Sequence, residues 1–474
     1  MGFGARSQGP SKALHLADSV ALALWGWGSL GWVWLLRILA ALGHRRAKAR
    51  CTLADAPNAA LHRHVPPASS HARLWMHCAS LGEVEQAIPV LQAHRAAHPD
   101  TPWLLTVYSP SGWNPLQAHL AKGTMVSVLP GWRPNEDHLA VLPDDRPSVW
   151  RRVLSDLSIG CLALAKYDLW PNLLREVHRR GIPIHVFAAA PSAVPSTPST
   201  PSPALAPASL PSAMPSTPAA TASSRTASRV PLVWRLRGGA VWRLVTTVSC
   251  QDALAMQFFE QGGIEAHADG DPRVERVLRR EVELTPDLLA WSRAAKQVVV
   301  AGSTWAAEER ALASMTWSSE RRLLLVPHDL SPTHLDALDR QWEGRAVRWT
   351  TWRSLPAADR LHHAVVIVDA VGLLFGLYRL PNTAVAVVGG GHGSGLHNVL
   401  EPASAGLPIV TGPKLGRFRE AHALLGAGAL KSGSLGQDLA YWLARPDAAR
   451  RAGQTARQWV QSQSGASARI VARW

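Results

Sequence analysis

Cysteine is scarce in this chain of 474 residues, and none of it is paired by spacing. Four thiols, Cys51, Cys78, Cys161 and Cys250, stand far apart on or beside apolar runs. That pattern reads as reduced core residues and argues against a disulfide framework or a cysteine-ligated metal. The 20 histidines contain no His-Glu-x-x-His, so no metal is inferred from them. Acids are the scarcer charge: 34 Asp and Glu against 49 Lys and Arg leave a formal net charge of +15. The basic residues are spread out, apart from Arg45-Arg46-Lys48-Arg50 and Arg321-Arg322. With no zinc-ligand spacing, helix-turn-helix pattern or aromatic-basic RNA signature, no nucleic-acid partner is expected. A membrane surface or a phosphate-rich substrate accounts for the charge at least as well.

Charge is missing altogether from Ser19 to Leu36, and the apolar pattern resumes after Arg37 as far as Leu42. The run approaches the ~20 residues of a spanning helix, and its four tryptophans suit an interface. Residues 14–43 are therefore expected to form a membrane-anchor helix, either spanning or lying in the leaflet. The rival, a cleaved signal peptide, fits less well because the run is long and a basic cluster follows at once. That cluster, Arg45, Arg46, Lys48 and Arg50, would keep the rest of the chain on the cytoplasmic side of the membrane.

From Arg73 to Ala190 short apolar runs alternate with helical patterns, the mark of a parallel sheet with crossover helices. The expected strands are Leu74–Cys78, Trp103–Tyr108, Thr124–Leu129, Cys161–Ala165 and Ile184–Ala188. Residues 51–190 thus read as one α/β domain. Residues 191–229, nearly all Pro, Ser, Thr and Ala through Ser224, offer nothing for a core and are expected to be a disordered insertion. Alternation returns over 230–474, a second α/β domain, with a closing helix from about Gln437 to Gln461 that could pack back on the first.

Two places concentrate chemistry. In Trp75–Ala87 (WMHCASLGEVEQA) an apolar strand breaks at Ser80-Leu81-Gly82, and Glu83 opens a helix. Strand ends of open α/β sheets are where ligands bind, so Glu83 is a candidate catalytic acid; the structural alternative is that it caps the helix dipole. In Val387–Pro413 a strand runs into Gly389-Gly390-Gly391, then a loop, then a helix near Asn398 with Glu401 one turn in. Glycines let amides approach a phosphate, and a carboxylate there can bind ribose hydroxyls; the alternative is a glycine turn capped by Asn398. Asp269-Gly-Asp271 could pass for a metal-binding pair, but Pro272 and Arg273 point to an ordinary turn.

Taken together, Ser80-Leu-Gly-Glu83, Tyr108-Ser-Pro-Ser-Gly112, Leu169-Trp-Pro-Asn172, Gly302-Ser-Thr304 and His397-Asn-Val-Leu-Glu-Pro402 resemble the 3-deoxy-D-manno-octulosonic acid (Kdo) transferases. The likeness spans nearly the whole chain. It implies an α/β fold of two Rossmann-like domains of the glycosyltransferase B type behind an N-terminal membrane-anchor helix. It further implies an inverting transfer of Kdo from a CMP-Kdo donor to a lipid A precursor acceptor at the inner-membrane lipid surface, with no cofactor and no bound metal. The family's base falls on Glu83. Donor contacts fall on Ser303, Thr304, Pro327, His328, Gly372, Leu373, Leu374, Asn398, Val399, Leu400 and Glu401. Ser80, Gly82, Ser111, Lys166, Asp168 and Trp170 fall on the acceptor side. Lys166-Tyr167-Asp168 stands where many members have Glu-Thr-Glu, and Pro327-His328-Asp329 where many have Pro-Arg-His. Other readings of the same residues are a two-domain nucleotide-sugar epimerase and a membrane-tethered binding protein that has lost catalysis.

Overall fold

The computed structural model describes residues 16–55, 61, 65, 72–190, 239–393 and 395–474. The expected insertion, 191–229, lies outside them. Among the described residues the chain forms two compact units, one taking in the chain through Arg276 together with Gly465–Trp474, the other Val277–Ser464.

The first unit is built on β1 (Arg73–Cys78), β2 (Trp103–Val107), β3 (His138–Val141), β4 (Ile159–Ala165), β5 (Ile184–Ala189), β6 (Thr247–Cys250) and β7 (Ala266–Ala268). They pair in the order β3-β2-β1-β4-β5-β6-β7, and every pairing is parallel. A parallel sheet is covered on both faces, which is why its central strands are continuous apolar runs. Alternation sends Trp75 to one face with Leu104, Leu162 and Leu164, and Leu74, Met76 and Cys78 to the other with Leu105 and Ala163.

Three expectations are corrected here. Thr124–Leu129 contains a helical turn, Met125–Val128; Val126 is 51% exposed, which a strand buried on both faces would not allow, and β3 takes the edge position instead. The second domain does not open at 230. Strands β6 and β7 extend the first sheet beyond β5, with His185 opposite Thr247, and bury Val248, Cys250 and Ala266 in its core. The closing segment is not one helix but Leu435–Leu443 and Pro446–Ser462, because Pro446 has no N–H to continue the first and its ring is accommodated at the start of the second. A last helix, Ala466–Val471, belongs to the first unit, where Ala466, Ile470 and Val471 pack against Val84, Ala87, Ile88 and Leu91.

The second unit carries β8 (Gln297–Thr304), β9 (Arg321–Pro327), β10 (Val347–Arg348), β11 (Val365–Ile367), β12 (Thr383–Val388), β13 (Ile409–Thr411) and β14 (Leu430–Ser432), in the order β10-β11-β9-β8-β12-β13-β14. In each sheet the chain starts near the middle, winds one way, then returns and winds the other. The reversal falls between β1 and β4 in the first and between β8 and β12 in the second. A crevice opens outside the carboxyl ends of the strands at such a reversal.

The expected anchor is α1 (Leu16–Ala41), followed after a sharp bend by α2 (Arg45–Asp55). No single helix among the described residues is long and apolar enough to cross a membrane; Gly26–Ala41 and Arg45–Asp55 pass that test only together, bent by 114°. One side of α1 rests on the first unit. Asn172 donates from Nδ2 to Gly26 O (3.3 Å) and Ser29 Oγ (3.0 Å), an approach that needs glycine, since a Cβ at Gly26 would lie 2.7 Å from Asn172 Oδ1. Trp27, Trp34 and Ile38 on the same helix, and Leu42 just after it, are exposed.

Candidate functional site

Both strand reversals gather reactive side chains. In the first unit, β1 ends at Cys78, and Glu83 sits in the first turn of the helix Leu81–Ala97. Glu83 Oε2 accepts from the Ala79 N–H (2.5 Å) and the Ser80 N–H (3.2 Å), so the carboxylate caps the helix as well as standing at the strand end. Oε1 takes no hydrogen bond from the described residues. Burial raises the proton affinity of Glu83, and the Asp168 charge raises it further; Lys166 and the Ala79 N–H pull the other way. An acid so placed is a stronger base than a free carboxylate.

Asp168 and Lys166 leave the end of β4, the strand beside β1. Asp168 Oδ2 accepts from Trp170 Nε1 (2.9 Å) and lies 2.7 Å from Nε2 of the fully buried His77. Lys166 takes a positive φ of 60° at the strand exit, a conformation uncommon outside glycine. Ser80 and Gly82 flank Glu83 in sequence. Ser111, exposed in the first turn of Pro110–Ala121 after β2, meets Ser109 Oγ at 2.8 Å. The reversal thus brings together Ser80, Gly82, Glu83, Lys166, Asp168 and Trp170. His77 was missed as a site residue, although it lies one position inside the strand whose end was singled out.

In the second unit a cavity of about 230 Å³ opens at the ends of β8 and β12. It is lined by Arg280, Gly302, Ser303, Gly372, Leu374, Phe375, Tyr378, Val388, His397, Asn398 and Glu401. Of the expected donor residues, Ser303, Gly372, Leu374, Asn398 and Glu401 line it. Thr304, Pro327, Val399 and Leu400 do not. Val399 and Leu400 are buried apolar side chains. Thr304 is buried and donates to Glu309 Oε1 (3.2 Å), and Pro327 is the buried last residue of β9. Leu373 packs against the core as a half-buried side chain. His328 does not line it either; it is exposed, with its ring 4.5 Å from both Trp305 and His397.

Glu401 stands in the first turn of a short helix, Leu400–Ser404, rather than a full turn inside, and its Oε1 accepts from Asn398 Nδ2 (3.3 Å). His397 Nε2 takes the Trp305 Nε1–H (3.1 Å). Burial and the neighbouring His328 lower its proton affinity, so the ring is neutral at pH 7 and carries its proton on Nδ1. Two guanidiniums flank the Phe375 ring, Arg379 at 3.7 Å and Arg280 at 4.6 Å. Burial brings Arg379 down to about 10, still cationic at neutral pH. The wall therefore offers positive charge, carboxylate, amide and neutral imidazole, a set suited to a phosphorylated sugar-hydroxyl compound. Arg280, Phe375, Tyr378 and His397 were not foreseen; only His397 had a signal, as the first residue of a quoted motif. The acids of Asp269-Gly-Asp271 are taken up within the first unit, Asp269 by Ser249 and Arg473 and Asp271 by Gln251 and Arg273.

Two parallel-sheet α/β domains, each with polar side chains collected at its strand reversal, define a two-domain protein of the kind seen in the glycosyltransferase B fold. A solved UDP-N-acetylglucosamine 2-epimerase from Neisseria meningitidis has that likeness, with a TM-score of 0.50 and 10% identity over 82% of this chain and 99% of its own. A family model described as 3-deoxy-D-manno-octulosonic-acid transferase (kdotransferase) matches residues 45–194. A curated 3-deoxy-D-manno-octulosonic acid transferase from Bordetella pertussis is 25% identical over 95% of this chain and 96% of its own. The C-terminal CMP-Kdo binding domain of WaaA from Acinetobacter baumannii is 25% identical, with a TM-score of 0.31, over 36% of this chain and 92% of that domain. Residues 45–194 thus match the Kdo transferase model, and over nearly its whole length the chain is similar to a glycosyltransferase of that kind.

Proposed function

We propose that this enzyme moves Kdo from CMP-Kdo to a hydroxyl of a lipid A precursor with inversion, and that Glu83 is the general base. The observation that carries the reading is the Glu83 carboxylate at the β1 end, with one oxygen held by two backbone N–H groups and the other unengaged. A sugar hydroxyl is a poor nucleophile at neutral pH. In this reading Glu83 Oε1 accepts its proton as the oxygen attacks the anomeric carbon, and the bond to the CMP phosphate breaks with its electron pair leaving on that phosphate. Asn398 and Glu401 hold the ribose side of the nucleotide, and Arg280 faces its phosphate. Ser80, Lys166 and Asp168 surround the incoming hydroxyl.

The acceptor is an amphiphile, and α1 supports a site at the bilayer. Its exposed Trp27, Trp34 and Ile38 would enter the headgroup boundary, with Arg45, Arg46 and Lys48 of α2 against anionic lipid. Since its other side is docked on Asn172, α1 is read as lying in the leaflet on the cytoplasmic face of the inner membrane.

The test is incubation of the full chain with CMP-Kdo and tetraacylated lipid A precursor, read by mass spectrometry. Transfer of Kdo is expected. Glu83→Gln should retain CMP binding and melting temperature, because a glutamine oxygen can still accept from Ala79 and Ser80. Its turnover should fall on the order of 10²- to 10⁴-fold, the contribution usual for a base. Near-normal turnover in that variant would remove Glu83 from the chemistry.

A further inference from the structure

Beneath Glu83 runs a line of buried polar groups with no counterpart in the proposed chemistry. Trp75 Nε1 donates to Thr106 Oγ1 (2.9 Å). Thr106 Oγ1 lies 2.9 Å from His77 Nδ1, and His77 Nε2 lies 2.7 Å from Asp168 Oδ2, which also accepts from Trp170 Nε1 (2.9 Å). The line crosses three adjacent strands, β2, β1 and β4, and only its last acid reaches the surface: the His77 side chain is fully buried, that of Asp168 26% exposed.

The hydrogens can be counted. Both indoles are donors only, and a carboxylate is an acceptor only. Asp168 therefore receives the His77 Nε2–H, leaving Nδ1 of a neutral ring to accept the single Thr106 hydroxyl hydrogen, while the Thr106 oxygen accepts from Trp75. Every donor is used once and points toward Asp168.

We propose that this chain is a positioning device for the base: it fixes the Asp168 carboxylate at the exit of β4 beside Glu83, where Lys166 from the same turn opposes it. The inference rests on the reading of Glu83 as the base. The charged and titratable groups facing Glu83 are His77 and Cys78 on β1 and Lys166 and Asp168 after β4. Asp168 disfavours the ionised form of Glu83 and Lys166 favours it, so the two set how strongly Glu83 holds a proton. A base too readily ionised would remove the acceptor proton less effectively. His77 and Thr106 never meet substrate in this scheme; they act through Asp168.

The experiment compares wild type with Asp168→Asn, Lys166→Gln and Thr106→Val. The Glu83 carboxyl is titrated by ¹³C NMR in glutamate-labelled free protein, its signal assigned by loss in Glu83→Gln, and the pH profile of Kdo transfer is measured alongside. Activity falls on the acid side as Glu83 becomes protonated. Removing the Asp168 charge should move the Glu83 midpoint and that acid limb to lower pH. Lys166→Gln should move both to higher pH, and Thr106→Val should give a smaller shift in the direction of Asp168→Asn. Turnover of Asp168→Asn should fall by less than the 10²- to 10⁴-fold expected for losing the base itself. Unchanged NMR midpoints in Asp168→Asn and Lys166→Gln overturn the proposal, even if melting temperatures fall. Midpoints that move while the acid limb of transfer stays in place overturn the base assignment for Glu83 and leave the charge arrangement standing.

Discussion

Truncating Ile470 to alanine tests where the last ten residues belong. Ile470 is fully buried, and with Ala466 and Val471 it joins the core that contains Val84, Ala87, Ile88 and Leu91. The change leaves the polar ties of the segment in place: Glu275 still receives the Ser467 N–H (3.2 Å), and Asp269 still receives Arg473 (3.2 Å). The loss is therefore packing alone, about 2–5 kcal/mol for a buried isoleucine reduced to alanine. For a unit of this size that corresponds to a drop of roughly 5–15 °C in melting temperature. Calorimetry with and without CMP supplies the assay, because a two-domain chain need not melt in one step. A ligand at a hundred times its Kd stabilises the state that binds it by about 2.7 kcal/mol, so on the proposed donor site CMP marks the transition of the second unit. Ile470→Ala should lower the transition that CMP does not raise. A fall confined to the CMP-raised transition would show that the C-terminal segment folds with the second unit, and the assignment would be wrong.

Gly389→Ala should destabilise the second unit by about 1–3 kcal/mol and weaken CMP binding more than tenfold by calorimetric titration, because its Cβ would fall 2.1 Å from Ser303 O and push Ser303, held at a φ of 53°, out of the cavity wall. Unchanged CMP affinity would separate that glycine turn from donor binding. Replacing Trp27 and Trp34, 76% and 70% exposed, with serine should leave folding and CMP binding intact and reduce sedimentation with anionic vesicles; undiminished vesicle binding would show that α1 is not the membrane-facing element.

What the sequence makes legible follows from how far apart the cooperating residues lie. Central strands such as Trp103–Val107 and Gln297–Thr304 are long apolar runs because both faces are covered, and each announces itself locally. The edge strands do not. His138–Val141, Ala266–Ala268, Val347–Arg348 and Leu430–Ser432 are short and carry polar or charged residues, so only pairing with a neighbour identifies them. The misplaced domain boundary has the same origin: Thr247–Cys250 looks like the first strand after a linker, and nothing in its own residues says that β5 offers it a free edge. The sites divide in the same way. Glu83, Asp168 and Trp170 lie in contiguous strand-end motifs and could be found by reading along the chain. Arg280, Phe375 and Tyr378 converge on Glu401 from separate segments, and His77 acts across three strands.

Glu83 also shows why the structural and chemical readings of one acid need not compete. A carboxylate in the first turn of a helix is stabilised by the dipole and by unpaired N–H groups, and here Oε2 accepts two of them, from Ala79 and Ser80. That engagement restricts the side chain before any substrate arrives, which a base on a mobile loop would lack. It also lowers the proton affinity of the group, and burial together with Asp168 restores it. On the proposed reading the cap supplies position, and burial with the Asp168 charge after β4 supplies basicity. An aspartate at the same position would be one methylene shorter and could not hold both N–H groups and reach the unengaged side, so the length of glutamate follows from the two tasks together.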